Sequence, residues 1–579
     1  MTKIGGVVRA FGRSKSGNVA MLFGLAAIPL MVGVGVAVDY GRALLVRERM
    51  GNAADAAALA VGSWQGQTQA QLQVKARQYF DANFPPEILG APASLNLNFA
   101  GNDVVVNVSG TVPTTMLRLA NFQSIDVHAA STVTVGMGTL EVALALDNSG
   151  SMAGSKLAAL KTAASDLVDS LFDSAKGSSK ADPIKIAVVP FASGVNVGSQ
   201  YANASWMDTN AKNPHHADAQ KSEGSPAVNN FTLFKSLKSS NGSAVSWAGC
   251  VEARPSPYDV TDAAPSSGTG STLFVPMFAP DEPDNWTCKT NNCSSAGSNS
   301  GQRRFNGAPN GSQDYGNNYL PDAGITTTCG SASNANANWT CANGNAKCGG
   351  SNSGRKEEDG FAGLNITANK NCKYGTPSNK ATVANVTLGG IAAGPNFMCT
   401  TAPLLSLSTG KTTIKTKISE MEAEGATSVG EGAMWGWRAL SPGEPFSQGR
   451  AYNTEENQKI LILMTDGVNT YYPQNTFLKS WYSIYGYVSE GHLGTTSTNS
   501  STLTAKMDER TLAACNNIKA AGITVYTVAF EMANEDAGLG LLQSCASDED
   551  KYFAPNSAGE LISAFKAIGQ DISELRITK

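Results

Sequence analysis

One aspartate and two serines at alternate positions form the stretch of this sequence best suited to chemistry. Asp147, Ser149 and Ser151 belong to the segment Asp-Asn-Ser-Gly-Ser. A carboxylate and two hydroxyls are hard oxygen donors, which Mg²⁺ and similar divalent cations prefer. The same residue types also favour ordinary turns, so this spacing alone does not separate a metal site from a turn.

The flanking sequence places this segment at the edge of a sheet. The apolar run 140–146 predicts a buried strand, and apolar residues at helical spacing follow from Leu157 to Leu171. The three side chains therefore come where a strand passes into a helix. Ligands bind at such strand ends in open α/β sheets.

Two later segments offer further oxygen atoms at comparable positions. Thr427 lies in a loop that precedes a second helical pattern, and Asp466 follows the buried-strand run 459–464. Two carboxylates and three hydroxyls then come from three separate loops. Because these loops are far apart in the chain, only the fold can bring them together.

This combination resembles the metal-ion-dependent adhesion site of von Willebrand factor A (vWA) domains. The resemblance implies that Ser149, Ser151 and Thr427 coordinate an ion directly, while Asp147 and Asp466 act directly or through water. Oxygen ligands of which only two are charged favour Mg²⁺ or another divalent cation, modest affinity and an open coordination position. A vWA fold whose site binds no metal is the alternative.

The order of the predicted elements favours an α/β fold. Strands and helices alternate from residue 138 to the end of the chain, which indicates a largely parallel sheet covered by helices on both faces. We predict a vWA (Rossmann-like) domain over 138–579, interrupted by an insertion at about 195–405. The insertion is heavy in Asn, Ser and Gly, so we expect it to form no ordinary large core by itself.

The N-terminal part of the chain predicts a membrane anchor. Residues 19–38 are apolar and uncharged, and a run of about 20 such residues spans a bilayer as a helix. The basic segment 1–18 before it predicts a cytoplasmic N-terminus. A cleaved signal peptide is the rival interpretation, but the run is long and no clear cleavage site follows. Helical and strand patterns over 39–137 predict a small, pilin-like α+β region.

The cysteines favour an exported protein. All ten follow the apolar run, no C-x-x-C pair occurs and no His lies among the clustered ones, so disulfides are favoured over a zinc site. We predict a Cys515–Cys545 bridge, because these cysteines flank regular elements, and a Cys250–Cys399 bridge at the base of the insertion. The six cysteines from Cys288 to Cys372 allow fifteen pairings and stay unassigned.

The whole arrangement resembles the TadG-like proteins of bacterial tight-adherence (Flp) pilus systems. The resemblance implies a single-pass protein of the bacterial inner membrane, with its bulk in the periplasm, that assembles or anchors a pilus. The implied partners are pilus assembly components that offer a carboxylate to the metal. The segments that carry this resemblance, besides the anchor and the vWA pattern, are 54–60, 247–255, 435–442, 515–527 and 545–547.

Other function classes have less support in the sequence. The net charge of −4 gives no reason to expect nucleic-acid binding. No G-x-S-x-G or P-loop motif occurs, and we expect His215, His216 and the acidic positions Asp281, Glu282 and Asp284 to be solvated. Binding through the metal, without catalysis, is therefore the first hypothesis. A metal-dependent hydrolase, which would need a general base, and a surface adhesin for host or matrix ligands are the alternatives.

Overall fold

A computed structural model describes most of the chain outside the Cys-rich part of the insertion. Its backbone contacts divide the chain into two compact units, 1–137 with 173–181 and 574–579, and 138–172 with 182–573. The unassigned cysteines, Asp284 and the basic residues of the N-terminus lie outside the described residues. These residues are 17–62, 68–85, 88, 93–100, 103–134, 138–176, 178, 180–220, 229–282, 316–320, 374–474, 476, 478–533 and 535–575.

The smaller unit combines helices with a three-stranded antiparallel sheet whose strands lie side by side in chain order. Its first helix continues without a break from the predicted anchor through the Ala-rich segment, over 46 residues. The elements are α1 (Gly17–Gly62), α2 (Gln69–Asn83), β1 (Ser94–Ala100), β2 (Asp103–Pro113) and β3 (Ser124–Thr134).

Small side chains let the second half of α1 pack closely in this unit. Ala53, Ala54 and Ala57 are buried in one cluster with Val106 and Val108 of β2. Removing this apolar surface from water is the main stabilising contribution to such a cluster. The pilin-like α+β region that the sequence predicts is therefore a helix packed on a small meander.

The larger unit contains the remaining regular elements. Its strands are β4 (Thr139–Asp147), β5 (Ile184–Phe191), β6 (Leu237–Lys238), β7 (Gly375–Thr376), β8 (Asn379–Thr382), β9 (Thr387–Leu388), β10 (Ile391–Ala392), β11 (Leu405–Ser408), β12 (Asn457–Thr465), β13 (Thr524–Ala529) and β14 (Tyr552–Phe553). Its helices are α3 (Ser155–Ser174), α4 (Asn230–Lys235), α5 (Lys411–Ser419), α6 (Val429–Leu440), α7 (Ser500–Ala520), α8 (Asp536–Cys545) and α9 (Ala558–Leu575).

Six of these strands form one sheet of order β11-β5-β4-β12-β13-β14. All neighbours are parallel except β11, which pairs antiparallel with β5 at the edge. The large unit therefore has the largely parallel α/β sheet that the sequence predicts. The edge strand β11 is not predicted, because its four residues are too few to show a period. Leu146 pairs with Met464, so the carboxyl ends of β4 and β12 lie side by side.

Glycines allow α6 to lie close to the sheet. A Cβ atom on Gly432 would come within 2.5 Å of the ring of Phe191, and one on Gly436 within 2.4 Å of Leu461. All twelve residues of α6 are buried as a result. The loop that precedes this helix, which carries Thr427, is therefore fixed to a rigid part of the core.

The described parts of the insertion contribute large apolar side chains to the core of the host domain. Trp206, Phe234 and Phe274 of the insertion are buried in one cluster with Trp435 of α6. The ring of Phe274 lies 5.1 Å from that of Trp435, centroid to centroid. Trp206 and Phe274 come from irregular loops and Phe234 from the short helix α4, so they show no period, yet each adds apolar surface to the core of the host domain.

The expectation of a solvated acidic loop is wrong for Asp281 and Glu282. Both side chains are buried and accept hydrogen bonds from backbone N–H groups of the segment 316–320. Asp281 accepts from Tyr319 and Leu320 at 2.6 Å each. Burial raises the pKa of Glu282 to about 7, against the lowering effect of its hydrogen bonds. These carboxylates hold the insertion together instead of facing solvent.

The expectation of a solvated histidine pair is wrong as well. His216 is fully buried, with its Nδ1 atom 2.8 Å from Asp208 and its Nε2 atom accepting the N–H of Asn230 at 2.9 Å. His215 is partly buried and stacks on His492, with the ring centroids 3.6 Å apart. Sequence spacing could not show these partners, which come from other loops.

Both predicted disulfides are present. Cys250 is bonded to Cys399 and Cys515 to Cys545, with Cα–Cα distances of 5.6 and 5.2 Å. The first bridge joins the segment before the Cys-rich region to the segment after it. The second joins the C-terminal half of α7 to the last residue of α8, on either side of β13.

Replacing both Cys515 and Cys545 with Ala should lower the free energy of unfolding by about 2–4 kcal/mol, because the bridge restricts the unfolded chain. The measurement is urea unfolding of the full chain, followed by tryptophan fluorescence. Peptide mapping of non-reduced wild-type protein is the control and should recover the linked pair. Free thiols at these positions, or equal stability of both proteins, would contradict the expectation.

Candidate metal centre

Asp147 ends the central strand β4 and is completely buried. Its Oδ1 atom accepts the backbone N–H of Ser149 at 2.7 Å, and its Oδ2 atom accepts the hydroxyl of Thr465 at 2.5 Å. Burial raises the pKa of Asp147 to about 6, although these hydrogen bonds act in the opposite direction. The carboxylate is thus held in one orientation at the edge of the sheet. Thr465 was not among the predicted site residues.

Ser149 precedes the short turn Gly150–Met152 between β4 and α3, and Ser151 lies within it. Their hydroxyl oxygens are 3.0 Å apart, and the Ser151 hydroxyl donates to Oδ1 of Asp466 at 2.6 Å. The N–H of Gly150 donates to the carbonyl of Gly425 at 3.0 Å. The turn therefore connects the β4 end both to the β12 end and to the loop that carries Thr427.

Thr427 lies in the loop directly before α6 and reaches the same edge. A Cβ atom on Gly467 would stand 3.8 Å from the Ser151 hydroxyl oxygen and 4.0 Å from that of Thr427. The backbone N–H of Thr470 also donates to the Thr427 carbonyl at 2.9 Å. The glycine after Asp466 therefore leaves open the space between these hydroxyls, and all five predicted residues converge at the carboxyl edge of the sheet.

Backbone and side-chain hydrogen bonds hold the three loops in place. The amide of Asn148 donates to the carbonyl of Glu422 at 3.0 Å, and the Glu424 N–H donates to the Asn148 carbonyl at 2.9 Å. The Ser193 hydroxyl accepts the N–H of Ala426 at 2.8 Å. This support limits the movement of the ligand loops, which a specific ion site requires.

Lys156 is a member of this site that the sequence reasoning missed. Its ammonium nitrogen lies 2.8 Å from Oδ2 of Asp466 and 3.6 Å from Glu531. It occupies the first turn of α3, five positions after Ser151. The carboxylate of Asp466 is therefore paired with the ammonium group of Lys156 as well as lying at the candidate site.

The arrangement fits a hard divalent cation. Within the described residues no group of three or more His, Cys, Asp or Glu side chains could hold a metal, so a site must draw on hydroxyls as well. Adjacent ligands of octahedral Mg²⁺, at about 2.1 Å from the ion, stand about 3 Å apart. The oxygens of Ser149 and Ser151 have this separation, at 3.0 Å. Two carboxylates and three hydroxyls also match the oxygen preference of Mg²⁺.

Replacing Lys156 with Met should raise the affinity of the chain for Mg²⁺ about fivefold. The ammonium competes for Asp466, and a partly exposed ion pair of this kind contributes up to about 1 kcal/mol. Calorimetric titration of the full chain measures the change. Lys161→Met is the matched control, since Lys161 lies on the same helix and donates to the carbonyl of Ser419. Weaker binding by the Lys156 variant would mean that the lysine supports the ion.

Comparison with known protein families finds one that the N-terminal part of the chain is similar to. Residues 17–70 match the model of the Tad family, described as Flp pilus-assembly TadE/G-like. The N-terminal segment is TadE/G-like. It comprises α1 and the beginning of α2. No curated protein matches the sequence.

Several pilus proteins of known structure are similar to this chain. The pilus adhesin SpaC from Lactobacillus rhamnosus GG is 10% identical, with 83% of this chain and 34% of that chain covered and a TM-score of 0.28. The vWF domain of the type V pili tip protein Mfa5 from Porphyromonas gingivalis is 10% identical, with 76% and 97% covered and a TM-score of 0.30. The pilus adhesin RrgA from Streptococcus pneumoniae is 11% identical, with 83% and 49% covered and a TM-score of 0.30. The match thus spans about a third of SpaC.

Proposed function

We propose that this chain is anchored in the bacterial inner membrane and assembles or anchors a tight-adherence pilus from the periplasm. It does so by binding a carboxylate of a pilus assembly component through a divalent cation, most simply Mg²⁺. The observation that carries the proposal is the convergence of the five oxygen-bearing side chains at one sheet edge, in a chain whose N-terminal segment is TadE/G-like.

The ligand set supports binding of an acidic partner. When bound, the cation supplies a positive centre that a carboxylate can approach. Asp147 and Asp466 neutralise much of its charge, whereas Ser149, Ser151 and Thr427 contribute neutral oxygens. The exposed side of the site lies at Ser151, the one exposed residue of the five. A partner carboxylate would therefore approach from this side. The role is one of binding, and no catalytic residue is assigned.

The properties of α1 support the membrane anchor. The helix is long and apolar enough to cross a bilayer between Phe23 and Gly62. Large apolar side chains of its first half, such as Phe23, Leu25 and Leu30, are exposed. An uncovered apolar helix surface of this size is unfavourable in water and favourable in lipid.

A fusion experiment tests the orientation of the anchor. A reporter that is active only in the periplasm should be active when fused after Lys579, and the protein should sediment with membranes and resist extraction by salt. Soluble full-length protein in the periplasm would show that the apolar segment is a signal peptide. Recovery of the chain on the outer cell surface would favour the adhesin alternative over assembly.

A further inference from the structure

One buried carboxylate holds the loop between β2 and β3 against α1. The side chain of Asp39, which is only 2% exposed, accepts three backbone N–H groups. The donors are Thr115 at 3.0 Å, Met116 at 2.8 Å and Leu117 at 2.7 Å. We call this loop, residues 114–122, the hairpin tip. The three hydrogen bonds to Asp39 fix the position of the hairpin tip along α1.

The hairpin tip reaches a level inside the apolar run of α1. A Cβ atom on Gly35 would stand 2.8 Å from the Cβ of Met116. Gly35 precedes Asp39 by about one helical turn, which is roughly 6 Å along the axis. Residues 19–38 carry no charge, and Asp39 is the first charged residue after them. The tip therefore reaches beyond Asp39 to the level of the uncharged segment.

The tip and the neighbouring helix surface both expose apolar side chains. Met116 is 50% exposed and Phe122 is 64% exposed. Val34 and Val38 of α1 are exposed at the same level. This apolar surface is continuous with the helix proposed to cross the membrane. Contact with lipid is therefore more favourable for it than contact with water. Arg118 is exposed on the tip and offers a cation to lipid phosphates.

The bonds to Asp39 remove the main obstacle to such burial. A backbone N–H without a partner is strongly unfavourable in the hydrocarbon region, and the first N–H groups of a short helical turn lack partners within the turn. Here the turn Leu117–Ala120 begins with donors that Asp39 accepts. The carboxylate is in turn shielded by the groups that it binds, so neither partner is left bare.

We propose that the hairpin tip inserts into the interface of the bilayer that α1 crosses, on the side of the folded units. Acyl chains cover Met116 and Phe122, and a lipid phosphate pairs with Arg118. The small unit is then attached to the membrane at two points, the helix and the tip. This inference rests on the proposed membrane anchor.

Photolabelling from within the bilayer tests the proposal. The full chain is placed in vesicles of phosphatidylethanolamine and phosphatidylglycerol that contain a lipid with a diazirine on its acyl chain, and the adducts are mapped by mass spectrometry. Adducts are expected on residues 114–122 as well as on residues 19–38. Phe99 of β1 is the matched control, since it is 44% exposed and pairs with Val104 at the start of β2, whereas the tip follows the end of β2. It should carry no adduct.

The outcomes separate this inference from the anchor itself. Labelling of 19–38 without labelling of 114–122 would overturn the inference and leave the anchor intact. Absence of labelling from both segments would overturn the anchor and, with it, the inference. Asp39→Ala should give loss of adducts at the tip while those on the helix persist, because the tip is no longer held at this depth. Equal labelling of the tip in that variant would show that Asp39 does not position it.

Discussion

Replacing Asp147 with Asn is expected to lower the affinity of the full chain for Mg²⁺ by about 100-fold or more. Loss of a group that only orients a ligand already costs about 10–100-fold, and Asp147 supplies one of the two negative charges of the site. Asn keeps the shape and an oxygen to accept the Ser149 N–H, so the fold should survive. Calorimetric titration of the detergent-solubilised protein measures the effect.

The matched control for this variant is Asp169→Asn. Asp169 lies on α3 and is paired with Lys411 and Lys415, away from the five site residues. Its replacement should leave Mg²⁺ binding unchanged. Equal heats from wild type and Asp147→Asn would remove this residue from the ligand set.

In the wild type the affinity for Mg²⁺ should also fall as the pH drops below about 6, because the buried carboxyl of Asp147 then takes up a proton.

The largest loss of stability is expected from Glu141→Ala. Glu141 is fully buried in β4, and its carboxylate lies 2.5 Å from the ammonium of Lys459 and 3.1 Å from the guanidinium of Arg450. Burial lowers the pKa of Lys459, while the contact with Glu141 opposes this effect. Removing the carboxylate leaves a buried ammonium whose charge is not compensated. We expect a loss of about 3–5 kcal/mol in the free energy of unfolding, measured by urea unfolding.

A second substitution tests the cause of this loss. Lys459→Met removes the buried ammonium, so adding it to Glu141→Ala should restore part of the lost stability. Lys459 is itself buried and also donates to the carbonyl of Leu440 at 2.6 Å, a bond that Met cannot replace. If the double variant were less stable than Glu141→Ala by the full cost of Lys459→Met alone, the buried charge would not be the cause.

The candidate site residues could be placed at one edge of the sheet from the sequence because local patterns mark their positions. Asp147 and Asp466 each follow an apolar run, and strands that are parallel end at the same edge of a sheet. The partner of Lys156 could not be found in this way. Asp466 is 310 residues away in the chain, and only the order of the strands brings the two together.

The insertion shows where pattern reasoning fails. Asp281 and Glu282 have the composition of a solvated loop, yet they are buried by a segment 34–39 residues further along that carries no period of its own. Trp206 and Phe274 likewise lie in irregular loops. Trp206 packs on Phe274 and Phe274 on Trp435 of α6, and no spacing rule describes these contacts.

Capture of the partner in cells tests the central claim most directly. A photo-crosslinking amino acid in place of Ala153, which is exposed two residues after Ser151, is combined with either the wild-type site or Asp147→Asn. With the wild-type site we expect a crosslink to a pilus assembly component, through a segment that contains an acidic residue, and normal pili. With Asp147→Asn we expect equal amounts of membrane-bound protein but neither crosslink nor pili. A variant that still captures the same partner and assembles pili would contradict the claim that this site carries the function.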